Sequence, residues 1–241
     1  MSNFLPTFII ILFVISIVSI IISMHEAAHA YIANRLGDPT AKLLGRITLN
    51  PSAHIDPLGT LVVPLILLVL SGGAFVFGWA KPTPINPLNF ENPRKDSALT
   101  AFAGPASNFI LATIIGVVSR LIPLTSETKN LIVRLGFGGQ WDNLFNIIDG
   151  DILAFIFLAL TGIVIFNLIL GIFNLIPVPP LDGFRILVGI LPKDLALKLA
   201  TLESYGPIVL ILFLFVFINI FSGFISTLIT FLLSILVGTT L

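Results

Sequence analysis

The 241-residue sequence is 56% hydrophobic and 10% charged, with a formal net charge of zero and no cysteine. Its mean hydropathy of +1.09 exceeds that of ordinary soluble domains, so the composition predicts an integral membrane protein. A balanced charge gives no indication of a nucleic-acid partner. The lack of cysteine excludes disulfides and thiolate metal sites, so any metal must be held by histidine and carboxylate side chains.

Long apolar runs predict the membrane crossings, because about 20 apolar residues span a bilayer as a helix. The candidates are residues 4–34, 57–79, 98–121 and 151–175, and two shorter crossings within 206–238 that are separated near Ser222-Gly223. We therefore expect an all-α polytopic membrane protein of about six transmembrane helices, forming one domain over residues 1–241. The 12 Lys and Arg residues are divided evenly among the connections and leave the orientation open.

The connections differ in character. Residues 182–191 predict a short apolar helix and 193–204 an amphipathic helix at the interface, while glycines near 136–139 indicate a loop. Polar and apolar residues alternate along 41–50, which is the period of a strand. Residues 79–93 are too rich in proline for a helix.

These two extended connections predict a small re-entrant or interfacial segment resembling a β-hairpin. Extended backbone near a membrane site could pair with an unwound peptide by strand addition. The alternative is that both connections are ordinary surface loops.

The stretch ISMHEAAHAY, residues 22–31, places His25, Glu26 and His29 within the first apolar run. On a helix, histidines four positions apart share a face and can bind one metal, while the adjacent glutamate can accept a proton from water. The alternative is a pair of core histidines, but it would also bury a glutamate at a cost of about 2.5–3.5 kcal/mol without a compensating role. Imidazole and carboxylate ligands favour Zn²⁺.

Two residues are candidates for a third ligand. His54 lies in NPSAHIDP, and Asp182 lies in FNLIPVPPLDGF, where a proline-rich break follows a long apolar run. Irregular backbone at membrane depth is tolerated where it is buried in protein or lines a wet cavity. Alternatively, Asp182 only caps the next helix. Asn167 and Asn174, seven positions apart, share a helix face and could point at the same cavity.

Three motifs in order, HEAAH, GPASN at 104–108 and NLIPVPPLDG at 174–183, resemble the site-2 protease family of intramembrane zinc metalloproteases. Within that family the chain is similar to the compact prokaryotic members that lack a PDZ or CBS domain. GRITLNPSAHIDPLGT and GWAKPTPINPLNFENPRKD look like loops of that subgroup. The resemblance covers nearly the whole chain.

The resemblance implies that one Zn²⁺ is held by His25, His29 and Asp182, that Glu26 is the catalytic base, and that Asn174 lies near the substrate or the oxyanion. The implied substrates are transmembrane proteins, and the implied location is a prokaryotic cell membrane. For His54 two roles stay open: a hydrogen bond to the oxyanion, or occupation of the open zinc position in the resting enzyme.

Two other functions are compatible with intramembrane His, Glu and Asp residues. A proton- or ion-coupled transporter would use them as ion sites, but the inverted repeat expected of one is not evident. An inactive homologue acting as a binding module is disfavoured by the intact HExxH motif and Asp182. Oligomeric state is left open by the sequence.

Overall fold

The structure, a computed structural model, describes residues 4–70 and 78–240. Within these ranges all regular secondary structure is helical, and no strand is present. In chain order the helices are α1 Phe4–Arg35, α2 Thr40–Leu43, α3 Val63–Leu70, α4 Pro93–Arg120, α5 Ser126–Phe137, α6 Trp141–Ile148, α7 Ile152–Asn174, α8 Asp182–Ile190, α9 Lys193–Ala200 and α10 Gly206–Val237. The connections contain 3₁₀ turns at Pro51–Ala53, Pro87–Asn89 and Thr201–Tyr205, and a π-helical turn at Pro57–Val62.

Four helical segments are long and apolar enough to cross a membrane: Val14–Arg35, Pro93–Arg120, Ile152–Asn174 and Lys193–Val216. They support a membrane protein, whereas the predicted count of about six crossings is not confirmed. The predicted break near Gly223 is wrong, because α10 continues through this residue as one helix of 32 residues. An unbroken helix satisfies its backbone hydrogen bonds in lipid, so a single glycine does not end it. The predicted crossing 57–79 falls partly on residues 71–77, which lie outside the described residues.

The strand predicted at residues 41–50 is not found. Its first residues belong to α2, which begins where the carboxylate of Asp38 accepts hydrogen bonds from the amide and hydroxyl of Thr40. Gly45 follows with φ +69°, and the Arg46 guanidinium turns inward to donate to the carbonyl of Ala53. The alternating pattern therefore comes from local turns, and the described part of the chain supplies no neighbouring strand for it to pair with.

Helix α4 is the centre of the bundle and packs against α1, α7 and α8. Pro93 occupies its first turn, where a missing N–H is harmless, and the Asp96 carboxylate accepts the N–H of Asn92. Four polar side chains of α4 are buried in the interior: Asp96, Thr100, Asn108 and Ser119. Intramembrane polar groups require such partners, because lipid offers none.

A separate apolar core joins α5 and α6 to α7 and α10. Its fully buried side chains include Ile132, Leu144, Phe157 and Leu233. The loop predicted at the glycines near 136–139 is found at Gly138 and Gly139, which form the turn between α5 and α6 with Gly139 at φ +66°, whereas Gly136 belongs to α5. This core leaves the face of α4 towards α1 and α8 for the polar cluster described next.

Candidate metal centre

Helix α1 presents His25 and His29 on one face, as the four-residue spacing predicts. Both side chains are buried, and their Nε2 atoms lie 3.0 Å apart. The rings meet edge to face, with centroids 4.6 Å apart and an interplanar angle of 85°. Two imidazole nitrogens therefore converge on one point beside α1.

Asp182 reaches the same point from the start of α8. Residues 175–181 form irregular turns after α7, including a cis peptide bond between Pro179 and Pro180, and Asp182 is the first residue of α8. Its Oδ2 lies 3.1 Å from His25 Nε2 and 3.3 Å from His29 Nε2. No side-chain capping bond is present at the start of α8, so this geometry does not support the alternative of Asp182 as a simple helix cap.

The donor set of this cluster fits a metal ion. Ligand atoms of His25, His29 and Asp182 all lie within 4.8 Å of one another. Asp182 Oδ2 is buried and receives no hydrogen bond from the described residues, an arrangement that is costly for a carboxylate unless a cation compensates it. Two imidazoles and one carboxylate are one of the three-ligand sets found in catalytic zinc sites, which keep a fourth position open.

Helix α4 orients both imidazole rings. His25 Nδ1 lies 2.6 Å from Asn108 Oδ1, and His29 Nδ1 lies 2.7 Å from the carbonyl oxygen of Thr100. Since both partners are acceptors, each Nδ1 carries the proton and donates. Each Nε2 lone pair is thereby left for a metal, which is how outer hydrogen bonds set the tautomer of a histidine ligand.

The Asn108 amide is itself fixed by α7. Its Nδ2 donates to Asn167 Oδ1 at 2.9 Å, and Asn167 Nδ2 donates to the carbonyl of Ile163 at 2.8 Å. Asn108 and Asn167 are buried. Asn167 therefore belongs to this relay behind His25 and not to the cavity wall that the sequence pattern suggested. Asn108 lies in the GPASN motif, but its contact with His25 was not predicted.

Gly104, in the same motif, lets α4 approach the two rings. A Cβ atom at this position would collide with ring atoms of both His25 and His29. Only glycine fits between the α4 backbone and the imidazoles, which explains why the GPASN motif begins with glycine.

A cavity of about 140 Å³ opens in front of the cluster. It is lined by His25, Glu26, His29, Pro82, Thr83, Ile85, Ala101, Asn174, Pro180, Asp182 and Arg185. Glu26 faces this cavity from α1, and its Oε2 accepts the N–H of Thr83 at 2.9 Å. The carboxylate predicted as a base, the three predicted ligands and Asn174 thus share one cavity.

His54 lies elsewhere. It is 2% exposed and lines a separate small pocket with Ser19, Ser23 and Thr60. Its Nε2 is 3.0 Å from the carbonyl oxygen of Thr48. His54 is not among the residues that line the metal-side cavity, so the structure does not bring it together with the other predicted site residues.

Comparisons with known proteins found a matching family and several relatives. The sequence model of peptidase family M50 matches residues 12–218. YwhC of Bacillus subtilis (strain 168) is 40% identical over 200 residues, which cover 82% of this chain and 78% of YwhC. Rip2 of Mycolicibacterium smegmatis is 25% identical over 191 residues, which cover 79% of this chain and 62% of Rip2. The names of both relatives describe zinc metalloproteases, and no solved structure matches the chain.

Proposed function

This chain belongs to peptidase family M50, the site-2 protease family, and we propose that His25, His29 and Asp182 hold its Zn²⁺ while Glu26 is its general base. The protein is an intramembrane zinc metalloprotease. The observation that carries the residue assignment is the convergence of two Nε2 atoms and one carboxylate oxygen within 4.8 Å, beside a cavity that Glu26 also faces.

The chemistry follows from this placement. Zn²⁺, when bound, acts as a Lewis acid towards the scissile carbonyl and lowers the pKa of water in the site. Glu26 accepts the proton of the attacking water and returns it to the leaving amine. Asn174 donates one amide hydrogen to the carbonyl of Leu170, which leaves its second N–H for the substrate or the oxyanion.

The substrates are membrane proteins, and we propose that the bond cleaved lies within or near their transmembrane segments. A substrate helix hides its amides in its own hydrogen bonds, so it has to unwind before the carbonyl reaches the site. A second cavity, of about 280 Å³, shares Ile85 and Arg185 with the first and has Pro87, Pro93 and Phe184 in its walls. The proline-rich connection thus borders both cavities, and we propose that it lines the path of the substrate.

We place the protein in a prokaryotic cell membrane as a single multi-pass domain over residues 1–241. The apolar stretch that begins at Pro57 adds one proposed crossing or re-entrant segment to the four long helices. The chain spans 62% of the length of Rip2, so no activity of Rip2 beyond the shared region is carried over.

The predicted roles of His54 require a rearrangement. Its side chain is buried and lines a separate pocket with Ser19 and Ser23, so donating to the oxyanion or occupying the zinc position requires the connection between α2 and α3 to move. His54→Ala with zinc content unchanged distinguishes the two: lower turnover indicates the oxyanion role, and higher basal activity indicates the blocking role.

Purified protein tests the proposed function directly. Zinc analysis is expected to give one Zn²⁺ per chain, and a transmembrane reporter in detergent micelles should be cleaved in a reaction that a zinc chelator stops. In cells, comparison of wild type with Glu26→Gln should reveal membrane-spanning fragments that accumulate in the variant. A zinc-free, inactive protein that moves ions in proteoliposomes would favour the transporter instead.

A further inference from the structure

Residues 79–86 form an extended strap that is tied down along one edge. The N–H groups of Trp79, Lys81 and Thr83 donate to Gly59 O at 3.0 Å, His54 O at 2.8 Å and Glu26 Oε2 at 2.9 Å. Alternate residues of an extended chain point their amides to the same side, so one edge of the strap makes all three bonds. The hydrogen bond from Thr83 differs from the other two because its acceptor is the side chain of Glu26, the proposed base.

Thr83 donates two hydrogen bonds to Glu26. Its amide donates to the side-chain oxygen Oε2, and its hydroxyl donates to the backbone carbonyl of Glu26 at 3.1 Å. Thr83 is buried, at 8% exposure, and lines the cavity that contains the metal-ligand cluster. The contact is therefore placed at the site and shielded from solvent.

The neighbouring sequence fixes the direction of the Thr83 amide. Pro82 and Pro84 restrict φ on both sides, and a residue before proline is confined to extended conformations. Beyond them, the N–H of Asn86 donates to Asp38 Oδ2 at 2.7 Å, which anchors the end of the strap. At its beginning, the hydroxyl of Thr60 donates to Trp79 O at 2.9 Å.

We propose that Thr83 is a positioning residue for the catalytic base, an inference that rests on the proposed function. A glutamate side chain has three rotatable bonds, and a base off its position by about 1 Å can lose about 100-fold in rate. A backbone amide bonded to a carboxylate is a strong, charge-assisted hydrogen bond. It holds Oε2 in one place and leaves Oε1 as the oxygen that accepts the proton.

The connection that carries His54 is also bonded to the strap. The backbone carbonyl of His54 receives the Lys81 amide, two residues before Thr83, and the Arg46 guanidinium donates to both Ala53 O and Lys81 O. The connection that carries His54 thus clamps the strap, and the strap holds Glu26. His54 acts on the site through its backbone in this arrangement.

Two matched proline substitutions separate positioning of the base from general support of the strap. Lys81 and Thr83 both precede proline, so Lys81→Pro and Thr83→Pro each remove one amide donor at a site where extended backbone is already required. Only the second donor contacts Glu26. Thr83→Ser keeps the amide and the hydroxyl, and Thr83→Val keeps the amide alone.

We expect Thr83→Pro to lower kcat by about 100-fold with KM and zinc content nearly unchanged. Lys81→Pro should lower kcat far less, Thr83→Val should lose only a few-fold, and Thr83→Ser should match wild type. Wild-type kcat in zinc-loaded Thr83→Pro would overturn the inference, as would equal losses in the two proline variants. Chelator-sensitive cleavage by wild type in the same assay tests the proposed function separately.

Hydrogen exchange supplies a readout that needs no activity and no proline variant. Pro82 and Pro84 have no N–H, so the difference between two peptides with a common start, one ending at residue 81 and one at residue 84, reports on the Thr83 amide alone. We expect slow exchange in the full-length wild type and at least about tenfold faster exchange in Glu26→Ala, where the acceptor is gone. A fast-exchanging Thr83 amide in wild type, or one unaffected by Glu26→Ala, would overturn the contact on which the inference depends.

Discussion

The two sides of the metal-side cavity are built differently. On one side, regular helices hold the proposed ligands: α1 carries His25 and His29, and α4 orients both rings through Asn108 and Thr100. On the other side, the extended strap holds the side chain of Glu26, the proposed base on α1, through the Thr83 amide. A metal site requires fixed ligand geometry, which packed helices provide. The ligands and the side chain of the base are therefore held by different segments of the chain, the ligand rings by α4 and the carboxylate of Glu26 by the strap.

The largest effect is expected from a change of Glu26, the residue that the strap holds. Glu26→Gln should abolish proteolysis, with a loss of about 10²–10⁴ in kcat, because the amide cannot accept the proton. Zinc content should equal that of wild type, since Glu26 is not one of the three converging ligands. Zinc analysis and cleavage of a transmembrane reporter check both parts. Undiminished cleavage would exclude Glu26 as the base.

On the helical side, Asp182→Asn should weaken zinc binding more than any change to an outer residue. A neutral amide is a poorer ligand than a carboxylate, and outer-residue changes typically cost about 10–100-fold in affinity, so the loss here should exceed about 100-fold. Competition with a chelator of known affinity measures the change. Full zinc occupancy of this variant under such competition would show that Asp182 is not the third ligand.

Asn108→Ala tests the residue that orients the His25 ring, and it should lower zinc affinity less than Asp182→Asn does. Removing the acceptor for His25 Nδ1 should cost about 10–100-fold in zinc affinity. Asn108→Asp is the matched control, because it retains an oxygen acceptor for the imidazole. If both variants bind zinc as wild type does, the relay from α7 through Asn108 does not tune the site.

The smallest effect is expected at the anchor of the strap. Burial raises the pKa of Asp38, but hydrogen bonds from Thr40, Asn89 and the Asn86 amide outweigh it, so the pKa lies below its ordinary value. A carboxyl whose pKa is lowered by folding stabilises the fold above its unfolded value, about 3.9, and this contribution is lost as pH falls through the folded value.

Asp38→Asn should therefore destabilise the protein by about 2 kcal/mol at neutral pH, the scale of a hydrogen bond to a charged group. The difference from wild type should shrink as the pH falls below about 4. Thermal unfolding in detergent across this range measures it, with the exposed Asp194→Asn as the control. A difference that persists undiminished in acid would show that ionisation of Asp38 is not its source.

Features that depend on residues close together in the sequence could be predicted, whereas contacts between distant residues could not. The ends of α1 and α7 were predicted to within one residue, because long apolar runs have few alternatives in a bilayer, whereas α4 begins five residues before the predicted run. The His25–His29 spacing is local and was recognisable, whereas Asp182 needed the family resemblance to be preferred over His54. Local patterns misled where turns mimicked alternation, at residues 41–50, and where glycine suggested a break in α10.

Contacts between distant segments could not be predicted in this way. Thr83 and Glu26 are 57 positions apart, and His25 and Asn108 are 83 apart. Neither pair forms a repeating pattern, and a threonine or asparagine in an apolar chain has many structural roles. Gly104 offered a signal, since a glycine one turn before Asn108 on a helix allows close approach, but only the fold shows that it approaches the two imidazoles.

The prolines of the strap have one more consequence. With Pro82 and Pro84 in alternate positions, the edge opposite the Thr83 amide presents carbonyl groups without N–H donors at those two residues. Two copies of the protein cannot join these stretches in a continuous ladder, because carbonyl would face carbonyl. A bare extended edge is normally a template for aggregation, and proline is one of the residues that prevents it. The strap can thus stay extended without pairing with the strap of a neighbouring copy.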